Sequence, residues 1–425
     1  MQEKRCQIPV ESFANLEQGY KELRGSHSSN ISRYFWYTAF KGFGFGLIMA
    51  IWVIYLQQRR GLSLAQATIV DVTFWIAATL GEVPTGVVAD TFGRKTSLTA
   101  GAALLSVGTL AWAFAPTMLL IMLAYAAMAI GTTFLSGAEE ALFYESLQST
   151  GRAEEYTRLV GRAGAIMLGA TAIGNLASGL LATVDLILPF LVAGLSLLIM
   201  LGLVLTLKET NASEEFDGQR PKSYSQILRE AIVAMRVRPA LRYPMLYLAL
   251  VPLAAVIMET FFVQPQALSL GVPLAGVGVI VMVLQLTNMA GSTWSDRIKA
   301  QLGERRILYS APLLIISSLI LLAAFQRVPA LLFIAVIGFV TAALRPLVLS
   351  RIQNEVPNDI RATMLSMQSL MFTMLVAISE PTLGSIADKS GLPTAYLGLA
   401  GGLSILILFL FWKGRRCFSQ AATST

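Results

Sequence analysis

Twelve apolar runs of about twenty residues recur along the chain, separated by short polar segments: 34–56, 64–88, 96–115, 117–145, 158–183, 186–207, 242–267, 275–295, 307–325, 328–350, 362–386 and 392–412. As a helix rising about 1.5 Å per residue, each is long enough to cross about 30 Å of hydrocarbon. The pattern predicts an all-α polytopic membrane protein with twelve transmembrane helices. The longest polar interruption, 208–241, divides the spans six and six. The expected organisation is a tail at 1–33, a six-helix bundle at 34–207, a linker at 208–241, a second six-helix bundle at 242–412 and a tail at 413–425. In the first tail Phe13, Leu16, Tyr20 and Leu23 recur at helical spacing and predict a short amphipathic helix. Residues 223–238 of the linker place Ile227, Leu228, Ile232 and Val233 on one face, which fits a helix lying on the membrane surface or a solvated linker helix.

Composition agrees, with 55% apolar and only 13% charged residues, against roughly 25% charged in soluble proteins. The net charge of +7 does not mark a nucleic-acid surface, because the basic residues sit between the apolar runs without interleaved aromatics. Of the 32 Lys and Arg, 26 lie on one side, counting Arg158, Arg162 and Arg242 in the first turns of the adjoining spans; Arg59, Arg60, Arg327 and Lys389 lie on the other, and Lys41 and Arg345 fall deeper inside spans. The positive-inside bias then places both termini and the linker in the cytoplasm, as expected of a protein of a bacterial inner membrane. His27, Cys6 and Cys417, the one histidine and the two cysteines, are all in the tails. No disulfide framework, intramembrane metal cluster or cofactor is expected, and proton chemistry within the membrane falls to carboxylates. The first 33 residues carry both signs of charge and no short apolar core, unlike a signal peptide.

Sliding the halves past each other by about 205 residues aligns landmarks: Gly86 with Gly291, each followed by an aspartate (Asp90, Asp296), Arg158 with Arg361, Gly179 with Gly384 and Pro189 with Pro393. Six spans per half is an even number, so the halves run parallel and are related by an axis along the membrane normal. Substrate sites of such two-bundle proteins lie between the halves near the midplane.

Between the second and third spans stands Gly86-Val-Val-Ala-Asp90-Thr91-Phe92-Gly93-Arg94-Lys95. This resembles the signature loop of the major facilitator superfamily, G-x-x-x-D-R-x-G-R-K/R, with Thr91 in place of the first arginine. Gly86 is expected to allow close helix approach, Gly93 to permit the turn, and Arg94 to offer its forked guanidinium to a carboxylate. A weaker copy runs from Gly291 through Asp296-Arg297 to Gly303-Glu304-Arg305-Arg306. Within the superfamily, Glu82-Val-Pro-Thr-Gly86 and the stretch from Ser136 to Glu145 resemble a little-characterised bacterial group of permease-like and efflux-like proteins. The arginine in span four and the Gly-Pro pair in span five usual in twelve-span drug–proton antiporters do not occur. Span five instead offers Gly164, Gly169, Gly174 and Gly179 as a small-residue face. The resemblance implies transport by alternating access, a monomer, and a cytoplasmic gate in which Asp90 and Arg94 meet an acidic residue, here Glu145.

A charge at membrane depth costs at least about 2.5 to 3.5 kcal/mol, so charges inside spans point to function. Beyond Arg158, Arg162 and Arg242 in first turns, they are Lys41 in span one, Asp71 and Glu82 in two, Glu139, Glu140 and Glu145 in four, Glu259 in seven, Arg345 in ten and Glu380 in eleven. The resemblance implies that spans one, four, seven and ten line the cavity, which singles out Lys41, Glu139 or Glu140, Glu259 and Arg345. Lys41 is level with both glutamates, and helical spacing alone leaves open which one it meets, and whether the pair is functional or a static tie. Glu259 and Arg345, each near a proline, are candidate substrate contacts. Asp71, Glu82 and Glu380 are assigned to packing or interfaces; Phe35, Trp36, Tyr37 and Phe40 of span one are candidates for contact with a ligand, and interfacial anchoring explains the first three at least as well. The reading is a secondary transporter, not an enzyme, that exchanges a small organic solute for protons, as an exporter. The alternatives are an importer of an organic anion and a transporter-like sensor without turnover.

Overall fold

A computed structural model of the chain describes residues 10–209, 242–355 and 358–419. The expected linker helix at 223–238 and Cys6 lie outside them. Among the described residues eleven helices are long and apolar enough to span a membrane, and a bent pair makes the twelfth. α1 (Val10–Met49) bends by 47° into Trp52–Ile54 and a π-turn at Tyr55–Arg59. There follow α2 (Leu64–Phe92), α3 (Arg94–Phe114), α4 (Met118–Ser149), α5 (Tyr156–Ala182) and α6 (Leu188–Thr206). The second set is α7 (Arg242–Ser269), α8 (Leu274–Leu302), α9 (Glu304–Ala324), α10 (Leu332–Glu355), α11 (Asn358–Ser390) and α12 (Leu392–Ser419). The chain is thus an all-helical membrane protein of twelve spans in two bundles. The tail helix expected around Phe13–Leu23 is the first part of α1, which runs on into the span without a break.

Local chemistry sets the helix ends, because backbone groups left unpaired in lipid are costly. Ser63 and Gln66 form a reciprocal capping box that starts α2, and Thr117 caps α4. α2 ends at Gly93 (φ 93°) and α8 at Gly303 (φ 77°), a backbone region that glycine enters without penalty. Each 29-residue helix is followed by one of 21 residues.

That junction corrects the repeat. From Gly93 to Gly303, and from Leu64 to Leu274, the offset is 210, not 205. The counterpart of Gly291 is therefore Gly81, not Gly86, and Asp296 falls at the position of Gly86 rather than of Asp90. Packing agrees: a Cβ on Gly81 would press on Thr133 of α4, and one on Gly291 on the Phe339 carbonyl of α10. Gly86 is exposed with open space around it, so it does not bring helices together in this conformation. At Gly179 and Gly384 the offset is again 205.

Contacts between the bundles concentrate where α2 meets α11 and α5 meets α8, and the two are related by the repeat. Gly384 of α11 receives the first turn of α2 at Ala65; Gly179 of α5 receives the first turn of α8 at the Leu274 and Ala275 carbonyls. Of the expected glycine face on α5, Gly174 packs on α1 and Gly179 on α8, whereas Gly164 and Gly169 touch nothing. The described hydrogen bonds between bundles lie between the helix midpoints and this end: Thr79–Thr373 at 3.1 Å, Asn175–Gln285 at 2.9 Å, Asp388 accepting from the Leu64 and Ala65 N–H groups at 3.0 and 2.9 Å, and the bonds of Gln264 and Thr260 of α7 to the bent end of α1. At the opposite end, ion pairs tie each junction to its own bundle: Arg94 with Asp90 and Glu145 in the first, Lys299 with Glu304 in the second.

Candidate functional site

The α4 span is not one helix. Met118–Leu135 stops at Ser136, Gly137 takes φ 73°, and a new helix runs over Ala138–Ser149. The break aims the positive end of the second segment at the bundle and puts Glu139 and Glu140 in its first turn, where a negative charge is stabilised. It also decides between them. Lys41 Nζ of α1 lies 2.8 and 2.6 Å from the two oxygens of Glu139, and the Tyr37 hydroxyl donates to Oε2 at 2.6 Å. Glu140, about 100° further around the helix, is exposed and makes no ion pair among the described residues. The Lys41 and Glu139 side chains are 12% and 20% exposed, dry enough to strengthen the pair yet open to exchange. Beside Glu139 a narrow pocket is lined by Tyr34, Tyr37, Leu98, Leu142 and Phe143. Tyr34 stacks on Phe143 with ring centroids 4.0 Å apart.

Of the two roles open to Tyr37, its burial argues against anchoring. Its hydroxyl holds the carboxylate, while Trp36, one residue away, is exposed as an anchor would be. All partners of Glu139 belong to the first bundle.

The second bundle carries its own polar cluster. α7 is distorted into a π-turn at Ile257–Phe262, a feature frequent at functional sites, and Glu259 sits in it. Its Oε2 accepts from Asn288 Nδ2 of α8 at 2.6 Å, while Glu259 Oε1 and Asn288 Oδ1 have no partner. Both side chains rest over Gly338 of α10, where a Cβ would occupy their space. Arg345 is two helical turns further along α10, about 10 Å at 1.5 Å per residue. It is exposed and forms no ion pair with a described residue, so Glu259 and Arg345 share a face of α10 without meeting.

At the signature loop, Arg94 pairs with Asp90 at 2.9 Å and reaches Glu145 at 3.9 Å. The expected trio therefore meets within the first bundle. Lys95 is half-buried without a described ion pair, and Asp296 and Arg297 are exposed. The second junction is tied instead by Lys299–Glu304 at 3.2 Å, with the charges reversed relative to Asp90–Arg94.

Two further clusters were not assigned function from sequence. Gln264 of α7, fully buried, replaces the hydrogen bond lost at the α1 bend. Its Nε2 donates to the Met49 carbonyl and its Oε1 accepts from the Val53 N–H, both at 2.9 Å, while Trp52 Nε1 donates to the Thr260 carbonyl. Asp71 and Glu380, 3% and 1% exposed, face each other between α2 and α11.

Two parallel bundles with charged residues on their broken helices define a membrane transporter of the two-bundle class. A family model described as Major Facilitator Superfamily matches residues 34–379, and the chain belongs to that superfamily. That superfamily consists of multi-pass membrane transporters rather than enzymes. The chain is similar to the uncharacterized MFS-type transporter YxaM of Bacillus subtilis (strain 168), 26% identical over 208 residues. That match covers 48% of this chain and 50% of the relative, so the chain spans about half the length of the curated relative it matches. Two crystal structures of the nucleoside transporter NupG share the fold at TM-scores of 0.73 and 0.71 and 14% identity, over 90% of this chain and 99% and 98% of theirs. A D-xylose-proton symporter does so at 0.69 and 13% identity, over 90% and 96%.

Proposed function

We propose that the protein exports a small organic solute across the bacterial cell membrane in exchange for protons, with the Lys41–Glu139–Tyr37 cluster as the coupling site. The observation that carries this reading is the Lys41–Glu139 pair at the break in α4. A proton on Glu139 dissolves the pair, and a cationic group of the solute that takes the carboxylate does the same. Proton and solute then compete for one arrangement, which is the requirement for exchange. The bundles 34–207 and 242–412 rock about the contacts of α2 with α11 and α5 with α8, and the linker 208–241 joins them on the cytoplasmic side. The bacterial relative favours the cell membrane. With the termini inside, the bundle-joining end is outermost and the described conformation faces inward.

Import of an organic anion is the second reading, favoured by Arg345, which is exposed on the helix face it shares with Gly338. The test between them is transport in proteoliposomes after a ligand screen by thermal shift at two pH values; a ligand at a hundred times its Kd stabilises the fold by about 2.7 kcal/mol. An inside-acid pH gradient should drive the solute inward if the exchange holds.

The orientation has its own expected result. In intact cells a membrane-impermeant thiol reagent should label a cysteine at Gln58, beyond the α1 bend, and leave Cys6 and Cys417 unmodified. Labelling of the two native cysteines alone would invert the topology.

A further inference from the structure

We propose that Asp71 and Glu380 form a proton-binding site between the bundles, filled when the bundles close at the Leu64–Ser390 end and emptied when they part there. The argument begins with partners. Asp71 accepts from Trp75 Nε1 at 3.1 Å and from the Tyr125 hydroxyl at 3.2 Å. Glu380 receives a hydrogen bond from no donor at either oxygen, although it is almost completely buried. The Asp71 carboxyl lies within hydrogen-bonding reach of it. Two carboxylates in contact, taken out of water, cannot both remain ionised. One shared proton supplies the missing donor and removes the repulsion.

No cation offers an alternative among the described residues. The titratable group facing the pair from α4 is Tyr125, and no described lysine, arginine or histidine of α3, α4, α7, α12 or the π-turn at Tyr55–Arg59 forms an ion pair with either carboxyl. Asp388, two turns further along α11, is committed to the Leu64 and Ala65 N–H groups.

The repeat provides an internal control. At the offset of 205 that pairs Gly179 with Gly384, Glu380 corresponds to Asn175. Asn175 reaches the other bundle too, but through an amide hydrogen bond to Gln285 at 2.9 Å that needs no proton. Of the two related contacts, one is held at any pH and the other is held only with a proton bound.

Opening the end exposes both carboxyls to the same aqueous side from which the proton came. The site therefore does not carry protons across; it links closure to the pH of that side. Where the open form is doubly ionised and the closed form holds one proton, the closed-to-open ratio falls tenfold per unit rise in pH. This is independent of the exchange proposed for Glu139.

The test uses spin labels at Val184→Cys and Val328→Cys, exposed at this end of the two bundles, in a Cys6→Ser, Cys417→Ser background in nanodiscs. Distance distributions are recorded from pH 5 to 8. The short-distance population should fall with rising pH, up to tenfold per unit in the population ratio. Asp71→Asn and Glu380→Gln should each flatten the dependence, since an amide donates to the remaining carboxylate without a proton. Should one variant fail to fold, the other decides. Glu139→Gln should keep the slope even where it loses proton-driven transport, which separates the two proposals. A flat wild-type profile, an unchanged slope in both interface variants, or a population shift when sodium replaces choline at fixed pH would overturn the proton site.

Discussion

Glutamine in place of Glu139 will remove pH-driven transport while leaving solute binding in part, and glutamine in place of Glu140 will have a small effect. The asymmetry follows from geometry. Glu139 holds Lys41 through both oxygens and Tyr37 through one, whereas Glu140 is exposed. A glutamine amide is nearly isosteric, so the pocket beside Tyr34 and Phe143 survives, but it can neither bind a proton nor balance Lys41. Transport driven by a pH gradient in proteoliposomes should fall by at least tenfold, and counterflow without a gradient should fall less. Full proton-driven transport in both single variants and in the double variant would move the coupling site elsewhere, with Glu259 next in line.

Lys41→Met should be the most destabilising of the charge-removing changes at this site. It keeps the length and apolar stem of the side chain and deletes the cation. Glu139 is then left mostly out of water with the Tyr37 hydroxyl alone, and removing one partner of a buried pair costs roughly 3 to 5 kcal/mol. Residual exposure of the pair puts the expectation at the lower end of that range. Thermal unfolding of the detergent-purified protein should show a fall in Tm at neutral pH that acid partly restores, because a proton on Glu139 cancels the uncompensated charge. The double change Lys41→Met, Glu139→Gln should recover much of the loss, since it leaves no lone charge. A Tm for Lys41→Met equal to that of the wild type would mean that the pair is solvated and contributes little.

Hydropathy made the twelve spans readable because a membrane helix must be apolar over a fixed length, whatever its neighbours. The signature loop was readable because its turn depends on Gly93 itself, and a positive φ at that residue is a local demand. What escaped was tertiary. Glu139 and Glu140 are equivalent on an unbroken helix; only the interruption at Ser136 and Gly137 settles which one meets Lys41, and Ser-Gly in an apolar run does not by itself announce a break. Tyr37 lies in an aromatic stretch that reads as an interfacial belt at least as well as a ligand contact, and its turn inward follows from the packing of α1 on the second segment of α4. Asp71 and Glu380 are 309 residues apart, from 71 to 380, and each alone reads as a helix-edge carboxyl. The repeat was legible but slipped, since matching glycine to glycine paired Gly86 with Gly291. The helix junctions at Gly93 and Gly303 carry the true offset.

Proton coupling at Glu139 is tested most directly by recording proton and solute fluxes together. Wild-type and Glu139→Gln protein would be reconstituted in vesicles holding a pH-sensitive dye, with a solute identified by thermal shift. Addition of solute to wild-type vesicles without an imposed gradient should move protons opposite to the solute, and the Glu139→Gln vesicles should show no proton signal at equal solute binding. Solute uptake with no proton movement in the wild type, or protons travelling with the solute, would contradict the exchange.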